Sequence, residues 1–380
     1  STHCISSAAS DVYKRQVRGC NEFLQNYDRS PASNIDKKRY AGEMLFFKAL
    51  DYYGKVLLFG DVPWYDTTLN KNDPELYKGR DPRASVMENI VKTIDLAIEY
   101  LPVKTKVYRI SRDAALLLKA RICLYEGTYR RYRNLEGDAE YLKLAYEAAG
   151  ALMDMGHSLY KSATPEQSYF DLFIQDKYDT NPEVILAREY DASINMGNNV
   201  SNSIPGAIMG MSRDCFEEYL CATTGKPISQ CGCHNPDMGQ IQEMENRDGR
   251  LLQTVCLPKA GEYSRYLFRE VNGVMTGGAS SIFGLLEGTE KKPFYGTSST
   301  GYAIAKFYKA SEHAVGNHKG SIDAPVMRYA EALLIRAEAG AELGKDPELD
   351  KTVNALRSRV GFSHKLTMEP DEDPDLVAKY

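Results

Sequence analysis

Apolar residues in the first half of the chain recur at three- and four-residue intervals, the period at which a helix repeats one face. Phe46, Leu50, Tyr53 and Leu57 form one such stripe, which ends before Gly60-Asp61-Val62-Pro63. Ser85-Val86-Met87-Glu88 has the hydroxyl and carboxylate spacing of a capping box and predicts the start of a second helix. There Val86, Ile90, Ile94, Ala97 and Leu101 share a face, and Pro102, which has no amide hydrogen to donate, ends it. The pair predicts a helical hairpin.

A second hairpin follows. Ser111 stands where it would cap a helix bearing Ala115, Leu118, Ile122 and Tyr125, and its partner carries Leu142, Ala145, Ala149 and Leu152, with Gly156 as C-cap. A third is expected near the end of the chain, with Tyr329, Leu333 and Ala337 on one helix, Asp350 as cap, and Val353, Leu356 and Val360 on the next. Small residues such as Ala114, Ala120, Ala149 and Ala341 would let these helices cross closely, as tetratricopeptide pairs do. The spacing is irregular and the consensus of that repeat is absent, so the repeats are degenerate. Between the second and third hairpins, Pro165 to Pro325 is rich in Gly, Ser, Asn and Tyr, with short apolar runs such as Val184-Ile185-Leu186. A loop-rich insertion of that length in a helical scaffold is usually functional.

The pattern therefore predicts a mainly α fold of degenerate tetratricopeptide-like hairpins with a long loop-rich insertion. Its segments are hairpins over 17–164, a ligand-binding insertion over 165–325, and a truncated C-terminal hairpin over 326–380. Asp11-Val12-Tyr13-Lys14-Arg15-Gln16 is similar to the translated end of a transposon used in sequencing libraries, so 1–16 is read as non-native and Cys4 as no lipidation site. Glu369 to Tyr380 stops as an apolar pattern begins after a Pro/Asp loop, which reads as a cut end.

Composition narrows the function. The 380 residues carry a net charge of −5, which lacks the basic excess of a nucleic-acid-binding surface. No run of eighteen apolar residues suggests a transmembrane helix. Tyrosine is abundant, with 26 Tyr against 12 Phe and one Trp, the balance found where rings sit half in water at interfaces and polar ligand grooves. Eight cysteines include Cys231-Gly232-Cys233-His234, which lacks a second ligand pair at zinc spacing, so no metal site is assigned. A disulfide among Cys215, Cys221, Cys231 and Cys233 remains open at this level.

No nucleophile elbow, zincin helix, phosphate loop or dinucleotide fingerprint occurs, and no cofactor is indicated. Paired carboxylates for glycoside hydrolysis are invisible in sequence, so an all-helical glycoside hydrolase stays as one alternative and a tetratricopeptide-type protein-binding scaffold as another. Aromatic rings give the candidate binding residues. Trp64 and Tyr65 follow the first helix, and Tyr295 and Tyr302 lie among Gly and Ser in the insertion; all four offer faces for a sugar ring, and Trp64 equally fits a packing role. Tyr263, Tyr266 and Phe268 alternate as in a half-buried strand. Arg80, Arg83, Arg109 and Arg112 flank helix starts, where Asp81 and Asp113 are available partners.

Several blocks, in order, resemble the SusD/RagB family of the Bacteroidetes. They are Ala41 to Pro63, Arg80-Asp81-Pro82-Arg83-Ala84-Ser85, Arg109 through Tyr125, Asn246-Arg247-Asp248-Gly249-Arg250, Thr300-Gly301-Tyr302, Arg328 to Leu334, and Asn354 to Gly361. Gly249 departs from the family pattern, which usually has Pro there. The resemblance implies a helical binding protein and not an enzyme. Such a protein is lipid-anchored on the outer leaflet of the cell outer membrane. It captures an oligosaccharide or peptide ligand for a SusC-like TonB-dependent transporter.

Overall fold

The computed structural model describes residues 16–206, 210–234, 243–255, 269–271, 274–276, 302, 304–309, 311–312 and 315–367. The expectations for residues 1–15, Tyr263, Tyr266, Phe268, Tyr295 and the chain end after 367 lie outside these residues. The fold is mainly helical, and no helix among the described residues is long and apolar enough to cross a membrane. Two compact units divide it: the first holds the described residues up to His157 together with Met327–Glu348, the second those from Ser158 to Val326 and from Leu349 onward.

In the first unit, residues 16–26 form α1, Asn34–Phe59 α2, Arg83–Tyr100 α3, Arg112–Arg131 α4 and Asp138–Met153 α5. Packing joins α2 to α3 and α4 to α5, the two expected hairpins. The buried face of α2 is Ala41, Leu45, Phe46, Ala49, Tyr52, Tyr53 and Val56. Leu57 was expected on that face but is 42% exposed, because the apolar stripe drifts around the helix near its end. Glycine sets the closest approaches. A Cβ on Gly127 of α4 would stand 2.6 Å from Leu142 Cγ of α5 and 3.0 Å from the Leu142 amide nitrogen. A Cβ on Gly42 of α2 would meet Leu101 Cγ at 2.8 Å.

The helix ends use other caps than the spacing suggests. Ser33 caps α2 by accepting from the Asp36 amide at 3.1 Å and donating to the Asp36 carboxylate at 2.7 Å. At α3 the Ser85–Glu88 box is not the cap: the helix starts at Arg83, whose amide donates to Asp61 Oδ1 at 2.8 Å, so a carboxylate remote in sequence does the capping. Ser111 does precede α4, but its hydroxyl donates to Asp113.

Arg83, Arg109 and Arg112 bind partners other than the adjacent aspartates. Arg109 grips Glu43 through both carboxylate oxygens at 2.7 and 2.8 Å. Glu126, 1% exposed, accepts from Arg83 at 2.5 Å and from Arg130 at 2.8 Å. Arg112 donates to the carbonyls of Ile98 and Leu101 at the end of α3.

The second unit contains the short helices α6 (Ser168–Asp171), α7 (Val200–Gly206), α8 (Arg213–Glu217), α9 (Ile228–Cys231) and α10 (Gly249–Leu252). It also holds strand β1 (Val184–Arg188) and the antiparallel pair β2 (Arg269–Val271) and β3 (Val274–Thr276). A fourth strand, β4 (Ala324–Arg328), pairs with β1 as the chain leaves this unit. Phe216, Met244, Leu251, Val255, Tyr302 and Tyr308 build its core. Arg247, which is buried, donates to the carbonyls of Phe216, Tyr219 and Glu243, and Asp248 caps α10 through the Arg250 amide. Gly249 has a steric reason to depart from proline, since a Cβ there would stand 2.7 Å from the Val360 carbonyl oxygen.

The helices of the last expected hairpin fall in different units. Its first helix, α11 (Tyr329–Glu342), packs on α5 and α4, tied by Arg121 to Glu331 at 2.5 Å, while α12 (Val353–Arg359) belongs to the second unit. Asp350 does not cap α12; it accepts from the Asn354 side chain and from Lys365. Asn354 also exchanges two hydrogen bonds with the Leu366 backbone, at 3.0 and 2.7 Å. Arg359 and Glu183 are both buried and meet at 2.6 Å, and Glu183 accepts in addition from the Tyr160 amide.

Two stability outcomes follow. Gly127→Ala is expected to lower unfolding free energy by about 1–3 kcal/mol, overpacking against Leu142 outweighing alanine's better helix propensity; a urea midpoint at or above that of the parent chain refutes the close approach. Glu183→Gln keeps the size and an acceptor but strands the Arg359 charge, and the expected loss is about 3 kcal/mol. A change under about 1 kcal/mol in the same denaturation assay would mean that the pair is solvated.

Candidate functional site: an aromatic-floored cleft

The turn after α2 is where the sequence places its only tryptophan, and the backbone there is held on every side. Gly60, with φ +68°, reverses the chain. Val62 forms an antiparallel bridge with Asp81. The Trp64 amide donates to Asp81 Oδ2 at 2.7 Å, and Lys78 donates to the Trp64 carbonyl at 2.7 Å. The Tyr65 amide donates to the Tyr52 hydroxyl at 2.8 Å. These bonds hold the Asp81 carboxyl below the usual carboxylate range, the Trp64 amide being the largest cause and Lys78 the next. Burial pushes the Tyr52 phenol well above its ordinary value.

The Trp64 ring is 8% exposed and stacks on Tyr52 with centroids 4.0 Å apart. Lys48, buried on α2, places its ammonium 5.0 Å from the indole centroid and donates to Asp66 Oδ1 at 2.8 Å. Partial burial works against the Asp66 carboxylate, but Lys48 holds it below its ordinary value. Above this floor opens a cleft of about 450 Å³, lined by Leu24, Tyr27, Leu45, Lys48, Trp64, Asp66, Asn89, Lys92, Thr93, Leu96 and Tyr100. Burial, followed by the neighbouring Tyr100, raises the Tyr27 phenol. The cleft thus combines three aromatic residues with amide, hydroxyl, ammonium and carboxylate groups, the mixture that orients a polar ligand with apolar faces.

The four candidate residues fall in different settings. Trp64 lines the cleft by the small part of its ring left uncovered. Tyr65, next in sequence, is not among the lining residues; its hydroxyl donates to the Glu75 carbonyl at 3.0 Å and Lys78 lies 4.9 Å from its ring centroid. Tyr302 is in the second unit and 6% exposed. Its ring stacks on Phe216 at 4.1 Å, and its hydroxyl accepts from Arg213 at 2.6 Å and donates to Glu243 at 3.1 Å. Burial and then Glu243 push that phenol up to about 12. Tyr295 lies outside the described residues.

Sequence reasoning missed the α3 wall. Asn89, Thr93, Leu96 and Tyr100 repeat at four, three and four residues, so the stripe was present as a second face beside the apolar one. Lys48 carried no comparable signal, since a buried lysine is not distinguishable in sequence from an exposed one.

Comparison with known proteins places this architecture. Residues 156–378 match the SusD family, and residues 7–124 match a family described as starch-binding and associating with the outer membrane. SusD-like protein P2 of Formosa agariphila is 26% identical, over 92% of this chain and 61% of its own length. The starch-binding protein SusD of Bacteroides thetaiotaomicron is 25% identical, over 90% of this chain and 61% of its own length. The crystal structure of a SusD-like protein from Bacteroides fragilis shares the fold, with a TM-score of 0.72 at 22% identity, over 97% of this chain and 70% of its own. The chain therefore spans 61% of the length of these two curated relatives, and with more than half of its own residues matched by the family it belongs to the SusD family.

Proposed function

We propose that this chain binds oligosaccharide at the surface of the outer membrane and passes it to a SusC-like TonB-dependent transporter, without chemistry on the ligand. The observation that carries the reading is the cleft over Trp64, where an aromatic floor lies among Tyr27, Tyr100, Asn89 and Thr93. Sugar rings present apolar C–H faces and peripheral hydroxyls, so aromatic faces combined with amide and hydroxyl groups suit them. The starch-binding name of the Bacteroides thetaiotaomicron relative agrees with that ligand class. The matched family's association with the outer membrane supports the location, where a lipid anchor would hold the protein.

The same cleft speaks against hydrolysis. Glycoside cleavage ordinarily needs two carboxyl groups, one of them kept protonated. Asp66 is the one carboxylate among the lining residues, and its ion pair with Lys48 favours the charged form. Such a group is suited to accepting hydrogen bonds from ligand hydroxyls and unsuited to acting as a proton donor.

Burial of Trp64 decides how the proposal is tested. Trp64→Ala removes a ring stacked on Tyr52 and would lower the melting temperature together with binding, so it separates nothing. Asn89→Ala and Lys92→Ala act on the wall of α3, where Asn89 is half-buried and Lys92 exposed. Each is expected to weaken oligosaccharide binding about 2- to 13-fold, the range for loss of one net hydrogen bond of about 0.5–1.5 kcal/mol, with the melting temperature unchanged. Calorimetric titration with α- and β-linked glucan oligosaccharides and with short peptides reads this out, and reducing ends should stay constant throughout. Binding that neither substitution alters would move the ligand site away from this cleft; peptides binding in place of sugars would change the ligand class.

A further inference from the structure

The cysteines set aside in sequence come together in the second unit. Cys221, fully buried, sits at the mouth of a tight turn in which its amide donates to the Lys226 carbonyl and the Gly225 amide donates back to the Cys221 carbonyl at 2.8 Å. Gly225, at φ +71°, closes that turn, and His364 braces it through a contact of 3.0 Å with the Thr223 carbonyl oxygen. The chain then enters α9, whose last residue is Cys231, and Gly232 at φ +65° turns it so that Cys233 comes back beside Cys231. The Cys233 amide points at Cys231 Sγ, 3.4 Å away. As a result the three sulfur atoms of Cys221, Cys231 and Cys233 lie within 4.8 Å of one another, and none is bridged.

We propose that Cys221, Cys231, Cys233 and His234 bind a zinc ion. Three thiolates on a tetrahedral zinc, each at about 2.3 Å, stand roughly 3.8 Å apart, so the cluster needs to contract by only about 1 Å or less to close on the metal. A disulfide would join two sulfurs and leave the third beside them without a role. His234 supplies the fourth donor. It follows Cys233 directly, both of its ring nitrogens are shut from solvent, and the ring lies within side-chain reach of the Cys221 thiol. An imidazole held dry beside a thiol of the cluster is placed to join it in binding the ion. Zinc with three thiolates carries one net negative charge. The guanidinium of Arg247, whose backbone bridges to that of Cys221, is close enough to feel both Cys221 and Cys231. Cys231 and Cys233, two positions apart, with Cys221 brought by a turn from ten residues before Cys231 and His234 as the fourth donor, make a closed structural site that would pin this segment.

The full chain, purified under reducing conditions and stripped with a chelator that is then removed, is titrated with Zn²⁺ and with Co²⁺. About one equivalent of either metal should bind, and Co²⁺ should give thiolate charge-transfer absorption with the visible bands of a tetrahedral centre. Cys231→Ser and Cys233→Ser should abolish that uptake, whereas Cys215→Ser, at an exposed cysteine outside the cluster, should keep it. His234→Ala should retain the thiolate absorption and alter the visible bands. Circular dichroism of each stripped variant separates loss of a ligand from loss of the fold. No uptake by the stripped parent chain, equal uptake by the Cys231→Ser and Cys215→Ser variants, or a disulfide between two of the three sulfurs in the chain as isolated would overturn the site. Unchanged cobalt bands in the His234→Ala variant would remove His234 from it.

Discussion

The first unit depends on how closely α4 and α5 approach at Gly127. A mid-helix glycine costs about 0.5–1 kcal/mol relative to alanine, so it persists where a Cβ has no room. Here Leu142 fills that room, and the leucine is fully buried. The same device recurs at Gly42, where Leu101 occupies the space next to α2. Alanine carries the approach elsewhere, with Ala114, Ala115 and Ala120 of α4 and Ala145 and Ala149 of α5 all buried. Backbones brought this near leave little space for long apolar side chains between them.

A buried charge lies beside this close approach. Glu126 lies one residue before Gly127 and takes two guanidinium groups, from Arg83 and Arg130, so its negative charge is over-compensated and not merely paired. Arg83 in turn lies 3.7 Å from the centroid of the Tyr129 ring. A carboxylate left alone at 1% exposure would cost several kcal/mol, so Arg83 fixes where α3 begins relative to α4. Arg83 also donates its amide to Asp61, in the turn that presents Trp64. The packing constraint at Gly127 is thereby linked to the position of the cleft floor through one arginine.

Helix existence was legible in sequence because burial of one face imposes a period, and the α3 stripe from Val86 to Ala97 is buried as that period requires. Helix ends were less legible, because the group that caps need not be local. Asp61 caps α3 from 22 positions upstream, and the Ser85–Glu88 spacing carries no information about it. Packing partners were less legible than chain order: within the first unit α11 packs on α5 and α4, which no adjacency in sequence announces. At the cleft, Trp64 was visible as a rare residue after a turn. The wall of Asn89, Thr93 and Tyr100 was hidden because periodicity was sought only among apolar positions. Cys215, Cys221, Cys231 and Cys233 were grouped in sequence, but spacing did not show that the sulfurs converging are those of Cys221, Cys231 and Cys233.

A largely buried tryptophan is a poor grasping surface but a good rigid floor. The Trp64 ring is clamped by Tyr52 beneath it and by the Lys48 ammonium, while hydrogen bonds from Lys78 and to Asp81 fix its backbone. Little side-chain freedom is then left for a ligand to remove, and ordering an interface side chain otherwise costs about 0.5–1.5 kcal/mol. Because Lys48 also holds Asp66, the same ammonium sets both the ring and the carboxylate that line the cleft. On the proposed reading, selectivity comes from the less restrained groups above this floor, on the wall of α3, where side chains change without disturbing the helix packing below.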